Sequence, residues 1–127
     1  MPEVEGELVA TYTRAQALAD GVLIDISAHA TEAGIRVPTA VTLAVWNDYI
    51  QLTLAAEKAG NDISGRTRDI VGMCHGAAKR MPNTSELLFE LDVVMDRIKP
   101  SRVALKAVIG PGDNGEPVLT ILERDED

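Results

Sequence analysis

Cysteine is nearly missing from this chain. Cys74 stands alone, which excludes an intrachain disulfide and any zinc cluster built on several thiolates. Histidine is almost as scarce, with only His29 and His75, so no set of Cys and His at metal-ligating spacings exists and no metal or other cofactor is expected. Aromatic residues make up 3% of the chain (Tyr12, Trp46, Tyr49 and Phe89). The core must therefore be aliphatic and alanine-based, and few rings remain for stacking on bases. No apolar run approaches the length of a membrane span. Positive charge is in deficit: 12 Lys and Arg against 20 Asp and Glu give a net charge of −8. Phosphate backbones are bound mainly through Lys and Arg, so direct nucleic-acid binding is disfavoured. The first eight residues are acidic and lack the basic-then-apolar layout of a signal peptide. A cytoplasmic protein is the expectation.

What is present is enough for a fold. At 127 residues with 46% hydrophobic content, a single domain with a real core is expected. Its bounds read as 11–122, between an acidic flexible leader at 1–10 and an acidic tail at 123–127. The clearest patterning lies at 87–122. Phe89, Leu91, Val93 and Met95 alternate with Glu90, Asp92 and Asp96; Val103, Leu105, Ala107 and Ile109 alternate with Arg102 and Lys106. Period-two alternation of this kind predicts strands with one buried face. A hairpin centred on Lys99 pairs Asp92 with Lys106, Asp96 with Arg102, Leu91 with Ala107 and Val93 with Leu105. A third strand follows the turn-forming stretch Gly110-Pro111-Gly112-Asp113-Asn114-Gly115-Glu116-Pro117.

Upstream, Thr13 caps a predicted short helix that Gly21 ends, and residues 22–26 read as an added edge strand. Ser27 and Gly34 bracket a second short helix. Pro38 and Thr39 open a longer segment in which Leu43, Trp46, Ile50 and Leu54 fall on one helical face. A further helix starts near Ser64 or Thr67, with Ile63, Ile70, Met73, Cys74 and Ala77 inward, and breaks between Arg80 and Ser85. The predicted class is α+β: N-terminal helices packed on a mainly antiparallel, three- to four-stranded C-terminal sheet.

Chemistry-bearing residues are few. His29 and Glu32 sit three positions apart, a spacing that lets side chains meet and reads as an exposed helix contact rather than a catalytic pair. Cys74 and His75 are sequence neighbours, and on a helix they point about 100° apart, which does not suit a nucleophile and its base. The glycine-rich stretch leads into a strand rather than a helix and lacks a phosphate-binding lysine. Its Asp113, Asn114 and Glu116 are the best local candidates for Ca²⁺ or Mg²⁺, and are also what a turn requires. Arg66, Arg68 and Asp69 at a helix start, with His75 further along, form the candidate binding set, since the two cations could grip a carboxylate or phosphate. No residue is singled out as catalytic or metal-binding.

The stretch Tyr12-Thr13-Arg14-Ala15-Gln16-Ala17-Leu18-Ala19-Asp20-Gly21-Val22-Leu23-Ile24-Asp25 resembles a family of small proteins known as domain of unknown function 6573. The likeness continues through Glu32-Ala33-Gly34-Ile35-Arg36, Pro38, Ala44-Val45-Trp46, Ser64-Gly65-Arg66 and Asp69, and is strongest from Leu105 to Pro117. Arg68 and Gly72 depart from it, standing where an aromatic and a larger apolar residue belong to the pattern. The resemblance implies carriage by bacteria, plasmids and phages and transfers no catalytic residues. Taken together, the expectation is a small non-enzymatic accessory protein of mobile-element origin that binds another protein. The rival is a small RNA- or nucleotide-processing enzyme with a ribonuclease-like α+β outline, in which His29, Glu32, Arg66, Arg68 and His75 would share one cleft. Oligomeric state is left open.

Overall fold

In the computed structural model, the structure describes residues 12–51, 57, 60, 62–94 and 100–126. Thr13 opens helix α1 (Arg14–Ala19) with a reciprocal cap: its hydroxyl accepts from the Gln16 N–H, while the Gln16 side chain accepts from the Thr13 N–H. Strand β1 (Leu23–Asp25) and helix α2 (Ser27–Ala33) follow. Ser27 is the first residue of α2 rather than its cap, and the Asp25 carboxylate accepts from both its N–H (3.0 Å) and its hydroxyl (2.6 Å). Gly34 ends α2 in the left-handed region at φ 103°.

The segment expected to open a helix at Pro38 is instead strand β2 (Thr39–Thr42), buried along its whole length. β-Branched threonine and valine suit extended backbone. Their hydroxyls are satisfied locally: Thr39 Oγ1 donates to the Val37 carbonyl, and Thr42 Oγ1 donates to Glu126 Oε1 at 2.7 Å. Only then does the chain coil, as a short helix α3 (Leu43–Val45) that widens into a π-turn over Trp46–Ile50, closed by the Gln51 N–H on the Trp46 carbonyl. The wider turn puts Val45 and Ile50 in the core and leaves Leu43 exposed. Leu54 lies outside the described residues.

Helix α4 (Ile63–Arg80) is capped by Asp62, which accepts from the Gly65 N–H. Its buried stripe is Arg66, Thr67, Ile70, Val71, Cys74 and Ala77. Ile63 and Met73, expected inward, are exposed, because the stripe is rotated toward the β-branched pair at 70 and 71.

Strands β3 (Glu86–Val94), β4 (Pro100–Pro111) and β5 (Pro117–Glu123) form the predicted meander. The sheet is larger than expected, with five strands in the order β1-β2-β5-β4-β3, and it is mixed because β2 runs parallel to β5. β1 does form one edge.

The β3–β4 register also differs from the expected one. Asp92 faces Arg102 instead of Lys106, Leu91 faces Val103, and Leu87 faces Ala107. Pro100 is the first residue of β4 rather than part of the turn, a position where a missing N–H disturbs no ladder bond. The slip covers an even number of positions, so every side chain keeps its face. Phe89, Leu91, Val93, Leu105 and Ala107 are buried as expected. Met95 and Asp96 lie outside the described residues. Ile109 shares the face of Leu105 and Ala107 but is 40% exposed, because it lies past the end of α4. The core fills the layer between this face and helices α2 and α4.

Candidate functional site

The four residues of the candidate binding set fall in three different places. Arg66 is only 7% exposed. Its Nη1 donates to the Tyr49 carbonyl at 3.0 Å, tying α4 to the π-turn, while Nε and Nη2 have no partner among the described residues. Burial holds its guanidinium below the ordinary arginine pKa. Its described contact joins α4 to the π-turn, away from the exposed helix start where Arg68 and Asp69 lie.

Arg68 and Asp69 point the other way, to the surface. With Gly72 and Met73 they form the helix side of a groove of about 390 Å³ whose strand side is Glu90, Leu91, Asp92 and Arg102. Leu91 faces the core, whereas Glu90 and Asp92 face solvent, so the groove runs past the outer edge of β3. Arg102 Nε donates to Asp92 Oδ1 at 2.8 Å and its Nη1 to Glu90 Oε1 at 3.3 Å. Gly72 leaves the groove open, since a Cβ there would meet nothing within 4 Å.

His75 sits at neither place. It lines a smaller cavity, about 240 Å³, with Arg36, Cys74, Ser85, Leu87 and Leu119 among its walls. His75 Nε2 lies so close to Gly34 that a Cβ on that glycine would stand 3.0 Å away. The neighbouring Cys74 is buried, and burial pushes its thiol up to about 11, leaving little thiolate at neutral pH. His29 is at the other end of α4, with Nε2 3.0 Å from Ser64 Oγ. Residues 64 and 75 are separated by roughly 16 Å of helix rise. None of His29, Glu32, Arg66 or Arg68 lines the His75 cavity.

The glycine-rich stretch is a turn with an added task. The Asp113 carboxylate accepts from the N–H groups of Arg14 (2.7 Å) and Ala15 (3.0 Å), capping α1 from the far end of the chain. Arg14 answers by donating to Thr120 Oγ1 and the Leu119 carbonyl. Among the described residues, no group of three or more His, Cys, Asp or Glu is placed to hold a metal ion. No described helix is long and apolar enough to cross a membrane.

A family model matches residues 4–127. The chain belongs to DUF6573, a family of unknown function. No curated protein and no solved structure matches it. For this DUF6573 chain, the groove and the cavity are therefore read from their own geometry. Glu90 belongs to the polar strand face read from the sequence, whereas Arg36 and Ser85 were not among the candidate site residues there. Arg36 is a lone cation directly after Gly34-Ile35, and only the packing of the α2–β2 connection against the sheet reveals what it faces.

Proposed function

We propose that this chain is a non-enzymatic accessory protein, carried by mobile elements, that works by binding another protein along the outer edge of β3. The supporting observation is that this nine-residue strand ends the sheet with no strand on its far side among the described residues. The Ile109 N–H donates to the Ser85 carbonyl at 2.8 Å, and these two residues continue the β3–β4 register. Antiparallel ladder bonds alternate, so residues 87, 89, 91 and 93 turn their backbone groups toward β4. The backbone groups of Glu86, Leu88, Glu90 and Asp92 then face outward, ready to pair with an added strand.

The groove supplies the selectivity. A segment lying along β3 would set alternate side chains beside Met73 and Leu91, and the others beside Glu90 and Asp92. The partner it fits is an extended segment that is apolar on one side and carries Lys or Arg on the other. Glu90→Pro tests this, because proline at an outward-facing edge position blocks an added strand while leaving the β4 ladder whole. Partners captured from native lysate by wild type should be lost with Glu90→Pro and retained with Arg124→Ala, and the amides of 86, 88, 90 and 92 should gain exchange protection in the complex. Capture unaffected by the proline, with those amides unprotected, would exclude the strand-edge reading.

A further inference from the structure

We propose that the cavity beside His75 is a binding site for a small monocarboxylate with a short aliphatic or single-ring tail. The cavity lies between the C-terminal half of α4, the connection after α2, and the ends of β3, β4 and β5. Its inner walls are the buried Cys74, Leu87, Ala107 and Leu119, which offer an apolar lining and no charge. Its polar side chains are Arg36, His75, Thr84 and Ser85. Among the described residues no carboxylate lines it, although the chain as a whole carries a net charge of −8. Among the described residues, none of those four side chains makes a hydrogen bond or ion pair with the protein.

Size and charge together select the ligand class. A dry apolar cavity of roughly 150 Å³ holds a benzene ring. The 240 Å³ here leaves room for such a ring, or a short alkyl chain, together with one carboxylate. A nucleotide is too large. Arg36 and the two hydroxyl residues are exposed, whereas the apolar walls are buried, so the carboxylate sits at the mouth and the tail inside. The guanidinium fork suits a carboxylate in two parallel hydrogen bonds, and burial of the tail supplies most of the affinity. This site is separate from the β3 edge and does not depend on the reading given to that edge.

Calorimetric titration of the full chain with benzoate and with hexanoate tests the assignment, alongside the neutral benzamide and hexan-1-ol. Expected is saturable binding of at least one carboxylate with a rise in melting temperature, and affinity weaker by about fivefold or more for its neutral counterpart and in Arg36→Gln. Ala78→Leu, which projects a side chain into the cavity, should abolish binding. The proposal is overturned if neither carboxylate binds wild type below about 10 mM. It is equally overturned if binding is unchanged in Arg36→Gln or indifferent to the carboxylate charge. Should Ala78→Leu fail to fold, the Arg36→Gln and neutral-ligand comparisons decide the matter.

Discussion

Gly34 holds two demands at one position. Its φ of 103° lies in the left-handed region, and His75 Nε2 occupies the space a Cβ would need. Gly34→Ala should therefore destabilise the fold by about 1–2 kcal/mol from the backbone alone, measured by urea unfolding. An unchanged midpoint would mean that the α2 terminus relaxes freely. Glu123 makes a second prediction. The neighbouring Asp48 carboxyl first, then burial, and the charges of Glu126 and Asp125 push its carboxyl up to about 7. The unfolded chain releases this proton near the ordinary 4.5 and the folded chain near 7, so the folded state holds more protons between those values. The group's contribution is fully present below the lower value and is lost as pH rises through the upper one. The melting-temperature difference between wild type and Glu123→Gln should shift against wild type from pH 5 to pH 7.5. A difference independent of pH would show that the proton is not held there.

Helix α4 carries a glycine it does not need for conformation. Gly72 is exposed, mid-helix, and has open space where a Cβ would go. Gly72→Ala should stabilise the protein by about 0.5–1 kcal/mol, with a raised denaturation midpoint as the check. That glycine also lines the β3 groove. In the β3–β4 hairpin, Leu91→Asp should cost at least about 3 kcal/mol by burying an unpaired charge. Asp92→Ala should cost under about 1 kcal/mol, because its pair with Arg102 is solvent-exposed. Comparable losses in the two variants would contradict the assigned faces. The alternation in 87–122 made those faces legible, since a period of two is a local property of side-chain chemistry. The register was not legible, because a slip of four positions preserves every face and leaves opposite charges paired either way.

α1 is held to the rest of the chain by Asp113, which caps its first N–H groups, and by Arg14, which reaches β5. Asp113→Ala should cost about 1–2 kcal/mol and increase hydrogen exchange in α1 selectively. Loss of stability without that local exchange would place the role of Asp113 within its own turn.

Composition and local pattern were sufficient for the α+β class, the caps at Thr13 and Gly34, the meander and the edge strand β1. Each of these rests on interactions within a few residues or on a strict alternation. Packing alone decided that residues 39–42 form a strand inside the sheet, because four short side chains carry no period and β5 offers them an open edge. It also decided that Arg66 joins α4 to the π-turn, that Arg68 and Asp69 flank a groove, and that His75 faces a cavity. Those assignments depend on which surfaces meet across long sequence separations, and no local spacing along the chain encodes that.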